Sequence, residues 1–295
     1  MKFFKIIQLK NLKVFLFILG VSFSVNSQEN AIKISEVTPW CIIGFDSKDR
    51  TPAQRIEMLK QFGFKKYGYN RGKADFSSMA EEFKLAKQNN IEITSVFLWL
   101  NAQRDTIGKL SEANTLLLNQ LKKAPFKPAI WVSFSDNFFK DLNQKQSLER
   151  STNMIKYIKQ RADALGCKIA LYNHDGWFGN PLNQLDILKL LKDDSVSIVY
   201  NFHHALEHLN DFKNIAKQIT PHLSYVNLNG VKLEGPQILP IGKGDYELSM
   251  IKALINEGYQ GPWGILGHIK TEDVEQVLKR NIEGLKQINQ QLIKP

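Results

Sequence analysis

The chain has 295 residues, of which 43% are hydrophobic and 23% charged, with a formal net charge of +10. This composition excludes a disordered, collagen-like or disulfide-dense chain and leaves a folded protein with a sizeable core. The Lys excess forms no Arg-rich run and no basic stripe interleaved with aromatics, which argues against a nucleic-acid partner and for solvated helix faces.

At the N-terminus, Lys2, Lys5, Lys10 and Lys13 precede an apolar run over 14–21, and Val25, Asn26 and Ser27 supply small or apolar residues at a cleavage point. This pattern predicts a signal peptide over 1–27, a mature domain over 28–295 and a periplasmic or secreted destination. A span needs about 20 apolar residues, and this run thins into Ser and Asn sooner, so no membrane span is expected once the signal is removed. Its removal takes four of the 39 basic residues and none of the 29 acids, lowering the net charge from +10 to +6.

From Trp40 onward, short β-rich apolar runs alternate with stretches of helical period. Strands are expected over 40–45, 66–69, 91–99, 129–134, 168–172, 196–201, 223–228 and 264–267. Thr51, Pro52 and Gln54 form a capping box with Pro at the first helical position, followed by apolar Ile56, Leu59 and Phe62 and a stop at Gly63. Ser78 with Glu81 is expected to cap the second helix, Asp245 the seventh, and Thr271 the last, whose Val274, Val277, Leu278, Ile282, Leu285 and Leu292 form a one-sided stripe.

Eight strand–helix repeats imply parallel strands joined by right-handed crossovers, and eight such units can close on themselves. The expected fold is α/β, a single (β/α)8 TIM barrel in one domain. An open doubly wound sheet usually carries a Gly-rich turn after its first strand, and the sequence GFDSK over 44–48 offers none. Cys41 and Cys167 head strands one and five, on opposite sides of such a barrel and beyond the roughly 7 Å reach of a disulfide, so two buried thiols are expected.

Barrel enzymes collect their chemistry at the C-terminal ends of the strands. His174 follows strand five, His203 and His204 strand six and His268 strand eight, with His208 in the loop beyond strand six. His222 falls at the opposite end and reads as structural. A histidine there can be a ligand, an acid or base, a donor to a hydroxyl or a packing residue. The recurrence of histidine at three strand ends favours a functional pocket with His174, His204 and His268 as catalytic candidates.

The same rim carries Asn173, Asn201, Asn227 and Asn229 with Trp99, Tyr172, Trp177, Phe178 and Phe202. Amides bond to hydroxyls and aromatic faces stack on sugar rings, so the mixture suits a small carbohydrate substrate, although the turn preference of Asn accounts for some of it. Alternation puts Asn227 and Asn229 on one side of strand seven and Asn201 and His203 on one side of strand six, with His204 reaching the mouth only where the chain has begun to turn. Gly242, Lys243 and Gly244 suit either an anion or an ordinary turn. Asp46, Arg71 and Asp136 follow strands one, two and four, with surface solvation as their default reading.

Taken together, the stretches ALYNHDGWFG (170–179), YNFHH (200–204), VNLNG (226–230), ILPIGKG (238–244) and GPWGILGH (261–268) resemble the xylose isomerase-like TIM barrel superfamily of sugar phosphate isomerases and epimerases. The resemblance covers essentially the whole mature chain. It implies a barrel, carbohydrate substrates and, in many members, a divalent metal held by carboxylates and His at the ends of strands five to eight. By position the strand-five Glu falls at Tyr172, the strand-six Asp at Asn201 with its partner His at His204, the strand-seven pair near Asn227 and Asn229, and the strand-eight Glu near Leu266. Nearly every carboxylate is replaced, which disfavours a hard ion such as magnesium. A divalent metal, zinc or manganese, would then fall to His174, His204 and His268.

The resemblance further implies removal of a proton from carbon next to a carbonyl, as in isomerisation or epimerisation, with His174 or His204 as base and His268, Asn201 and Asn229 as polarising donors. Tyr172, Asn173, His203, Asn227, Trp177 and Trp99 complete the expected substrate-binding set. A 3-keto-glycoside lyase using the same proton abstraction and a non-catalytic sugar-binding barrel are the alternatives. An endonuclease of the same superfamily would need the carboxylates this chain lacks. Export points to free sugars or glycosides rather than phosphorylated ones, and the oligomeric state stays open.

Overall fold

The computed structural model describes residues 31–70, 76–236 and 238–294; the expected signal peptide and Arg71 lie outside them. Eight strands are present: β1 (Thr38–Trp40), β2 (Lys66–Tyr69), β3 (Glu92–Leu100), β4 (Ala129–Phe134), β5 (Ile169–Tyr172), β6 (Ser197–Asn201), β7 (Leu223–Leu228) and β8 (Trp263–Leu266). They are hydrogen-bonded in the order β1-β8-β7-β6-β5-β4-β3-β2, every pairing parallel, and β2 returns to lie against β1 in a nearly closed barrel. This is the α/β TIM barrel that the strand–helix alternation predicts.

Helices α1 (Pro52–Gln61), α2 (Phe76–Gln88), α3 (Glu112–Lys123), α4 (Gln144–Ala164), α5 (Gly176–Gly179), α6 (Pro181–Leu191), α7 (Phe212–Ile219), α8 (Glu247–Asn256) and α9 (Val274–Leu292) fill the crossovers. No helix among the described residues is long and apolar enough to cross a membrane. The expected capping box is formed, with Gln54 N–H donating to Thr51 Oγ1 and Thr51 N–H to Gln54 Oε1. Three other starts differ from expectation. Helix α2 begins before Ser78, α8 follows Tyr246 without a side-chain cap, and α9 is capped by Asp273, whose Oδ1 accepts from Glu275 N–H.

The first strand also stops earlier than its apolar run suggests. Cys41 turns to a φ of 58°, in the left-handed region that a side chain rarely adopts, and ends β1 at Trp40. Ile42 and Ile43 stay buried in the core between barrel and helices, so hydrophobicity alone mistakes them for strand. Cys41 and Cys167 are both buried free thiols, and burial pushes their ionisation up.

Two apolar clusters divide the interior. The larger lies between strands and helices; the smaller fills the lumen with Trp40, Trp131, Tyr172, Val199, Tyr225 and Leu266. The Trp131 ring sits 4.4 Å from Trp40, 5.0 Å from Tyr225 and stacked at 5.7 Å on Tyr172. Gly68 on β2 makes room for them, since a Cβ there would lie 2.3 Å from the Trp40 ring. The lumen is thereby a packed plug rather than a pore.

Outside the barrel, α1, α2 and β2 are tied by a buried ion pair. Arg55 Nε donates to Glu82 Oε1 at 2.7 Å, and the Tyr67 hydroxyl donates to the same oxygen at 2.9 Å. Replacing Glu82 by Ala would leave the guanidinium buried without its counter-charge, and we expect a loss of about 3–5 kcal/mol. The measurement is urea unfolding of Glu82→Ala against the parent, and an unchanged midpoint would contradict this account.

Candidate active site

A cavity of about 350 Å³ opens at the C-terminal ends of the strands. Trp40, Phe97 and Tyr172, at the top of the lumen plug, form its floor. His174, His204 and His268 line one side; Trp99, Asn70 and residues of the β3–α3 connection line the other.

Each histidine is carried there by a local turn. After β5 the chain folds back, with His174 N–H donating to Tyr172 O, and α5 packs onto the His174 carbonyl. Gly179 permits that approach, because a Cβ at this position would lie 1.5 Å from the carbonyl oxygen. After β6, Asn201 Oδ1 accepts from His203 N–H and starts a 3-10 turn over Phe202–His204. That turn buries His203 and brings His204 to the mouth, which answers the ambiguity left by strand alternation. His268 lies beyond β8 with its ring 3.5 Å from that of Phe45.

The four imidazoles form a chain. Ring centroids are 4.3 Å apart for His174 and His204, 4.2 Å for His204 and His203, and 5.1 Å for His203 and His268. Asp175 lies beside them. Its Oδ1 is 2.8 Å from His204 Nδ1 and its Oδ2 is 3.6 Å from His174 Nδ1. Because an ionised carboxylate only accepts, the hydrogen of the short contact resides on His204 Nδ1 and leaves Nε2 free as a base. His174 is the opposite tautomer: its Nδ1 accepts from Asp175 N–H at 2.9 Å.

The electrostatics keep this cluster mostly neutral. Burial, followed by the like charge of His204, lowers the pKa of His174 to about 4. The same causes, with His268 added, lower His203 to about 3, and burial with His204 and Lys270 lowers His268 to about 4. The hydrogen bond from His204 holds the Asp175 carboxyl down at about 2. At neutral pH the site therefore presents uncharged imidazoles at His174, His203 and His268 and an ionised carboxylate at Asp175. His174, Asp175 and His204 also offer one ligand atom each within 4.8 Å of one another. Two imidazoles with one carboxylate suit a divalent ion of the zinc class.

Of the residues expected to bind substrate, Trp99 and Tyr172 line the cavity. Asn173 is fully buried and bridges β5 to β6, donating to Asn201 O and accepting from Asn201 N–H. The Asn201 side chain donates to the Tyr172 hydroxyl beneath the histidines. Asn227 and Asn229 are buried, the former in the lumen wall beside Gly264, the latter donating to Gly230 O. Trp177 is turned away, with Nε1 donating to Gln144 Oε1 and its ring against Phe139.

The Gly242 and Gly244 N–H groups are already occupied, both donating to Glu247 Oε1. Asp46 is buried in an ion pair with Arg50, and Asp136 is exposed. Asp175, Phe45, Phe97, Asn70 and Leu117 were not singled out by residue type and position. For Asp175 the available signal was its place next to His174 at a strand end.

A profile of a TIM barrel family matches residues 127–288, more than half of the chain. The chain belongs to the xylose isomerase-like TIM barrel family. No curated protein was found to match its sequence. Among solved structures, the 3-keto-D-glucoside 4-epimerase YcjR of E. coli is similar at 15% identity and a TM-score of 0.63, over 88% of this chain and 100% of that one. The probable 3-DHS dehydratase AsbF of Bacillus anthracis is similar at 14% and 0.66, over 85% and 98%. The IolI protein with a bound zinc atom is similar at 12% and 0.63, over 87% and 97%. At these identities the likeness is one of fold.

The tautomer assignment is directly measurable. Side-chain nitrogen NMR should find His204 as the Nδ1–H form and His174 as the Nε2–H form, and Asp175→Asn should shift His204 toward the other tautomer while leaving His174 unchanged. Retention of the Nδ1–H form in Asp175→Asn would contradict the role given to the carboxylate.

Proposed function

We propose that this family member is an enzyme that isomerises or epimerises a small carbohydrate by removing a proton from carbon next to a carbonyl. The observation that carries the reading is the 2.8 Å contact between His204 Nδ1 and Asp175 Oδ1 at the edge of an aromatic-floored cavity. Asp175 orients the imidazole and stabilises the cation formed when Nε2 takes the proton. The electron pair left on carbon moves to the carbonyl oxygen. In isomerisation the imidazolium returns the proton to the former carbonyl carbon while the proton of the neighbouring hydroxyl passes to the enolate oxygen; in epimerisation the same carbon is protonated on its opposite face by a second donor, and His204 releases the proton it removed to solvent. The neutral imidazoles of His174 and His268 stand beside this step as donors to the developing oxyanion. Similarity to a 3-keto-D-glucoside 4-epimerase supports the sugar substrate.

A divalent ion, with zinc favoured over manganese by the two imidazoles, would be held by His174, Asp175 and His204 and would supply positive charge to polarise the carbonyl. With His204 engaged as a ligand, the role of base would fall to the remaining imidazole on the cavity wall, His268. Elimination from a 3-keto-glycoside begins with the same proton removal, and the dehydratase among the similar structures favours keeping it as a second reading. We further propose that the N-terminal 27 residues direct export, so that the enzyme meets free sugars or glycosides in the periplasm or outside the cell.

Turnover of aldoses, ketoses and 3-keto-glycosides, measured with metal content before and after chelation, tests these assignments. His204→Ala should lower kcat by at least about a hundredfold, and undiminished turnover would remove this residue from the mechanism. Where zinc is bound, the low pKa values of His174 and Asp175, about 4 and about 2, mean that protons displace it from these two ligands only as the pH falls to about 4 and below.

A further inference from the structure

The cavity is longer than the histidine cluster needs. From His174 it runs under Trp99, whose ring is 4.7 Å from the His174 ring, into the quadrant between β2, β3 and α3. The wall there changes character. Leu117 and Ala113 on α3 are aliphatic and offer a hydroxyl neither a stacking face nor a hydrogen bond.

The polar groups around them are mostly satisfied by one another. Asp105 Oδ1 accepts from Ser111 N–H at 2.7 Å and Asn114 Nδ2 at 2.9 Å, and its Oδ2 accepts from Asn101 N–H at 3.0 Å. Asn114 Nδ2 also donates to Trp99 O. A polyol seated here would lose its water partners and gain few in return.

Two groups are exceptions. Asn70, 7% exposed at the end of β2, has an Oδ1 without a hydrogen-bond partner among the described residues. Arg104, exposed at the rim of the same quadrant, makes no ion pair among the described residues, so its guanidinium is solvated and available. A guanidinium plane stacks well on a flat ring, and a buried carbonyl oxygen asks for a hydroxyl or amine donor.

We propose that this quadrant is a second subsite, which takes a planar apolar substituent of the sugar: the aryl aglycone of a glycoside, lying on Trp99, Ala113 and Leu117 under Arg104. Asn70 accepts from a hydroxyl on that ring. The proposal rests on the sugar reading of the histidine end and adds to it that the natural substrate is the 3-keto form of a phenolic glycoside, whose ring carbonyl supplies the acidic neighbouring proton, rather than a bare monosaccharide.

Calorimetric titration of the full mature chain with phenyl β-D-glucoside, methyl β-D-glucoside and phenol tests it. Phenyl glucoside should bind about tenfold tighter than methyl glucoside, the gain expected from burying one face of a ring. In Ala113→Phe, which fills the subsite from α3 without touching the histidines, that gain should vanish while methyl glucoside binds as before. Equal affinities of the two glucosides for the parent protein would overturn the subsite and leave the sugar reading standing. Persistence of the gain in Ala113→Phe would overturn it as well. Phenol binding as tightly as phenyl glucoside would keep the apolar seat but overturn the sugar reading, and no binding by any of the three would overturn both.

Discussion

Aromatic packing inside the barrel sets the position of everything above it. Trp131 at 4.4 Å from Trp40, with Tyr172 and Tyr225 around it, fills the lumen to the level at which the strands end. A filled lumen closes the barrel from below, so the remaining space is a shallow cavity whose floor is ring faces rather than charge. Tyr172 belongs to both: its ring completes the plug, and its hydroxyl receives the Asn201 amide just under the histidines. Of the positions where the resemblance leads one to expect metal-binding carboxylates, Tyr172 and Leu266 belong to this packing, while Asn201 caps the turn after β6 and Asn229 donates to Gly230 O. Polar chemistry is thereby moved from the strands to the turns that follow them.

On those turns the histidines repel one another's charge. Three are held neutral by burial and by their neighbours, and the fourth is fixed in one tautomer by Asp175. Imidazoles this close oppose a second proton once one of them carries a charge, and the Asp175 carboxylate stabilises that one charge at His204. The same neutral imidazoles are good ligands for a borderline ion. Base and ligand are thus two uses of one arrangement, and both depend on the turns after β5 and β6 remaining rigid. Gly179, packed on the His174 carbonyl, and Asn201, capping the turn that carries His204, supply that rigidity.

Much of the architecture was legible in the residues. Strands β2, β4 and β7 fall on their expected limits and the others lie close to theirs, because buried parallel strands write themselves as short apolar runs between capped helices. The exception is instructive: Ile42 and Ile43 extend the run of β1, yet the chain leaves the sheet at Cys41 and buries them against the helices. The three histidines of the cavity wall were legible as well, as strand-end residues. The asparagines were not, because an amide at a strand end looks the same whether it reaches a ligand or, like Asn173, ties two strands together.

The sequence by itself determined that eight strand–helix units would close into a barrel and that histidine would gather at one end of it, since both follow from local periodicity and from where each strand stops. The tertiary structure decided which side chains share a cavity. The partnership of Asp175 with His204 joins loops from two strands, and the apolar quadrant joins β3 to α3 across the rim. Such contacts depend on register, on the height of the lumen plug and on the direction of each turn, none of which is encoded in any one segment.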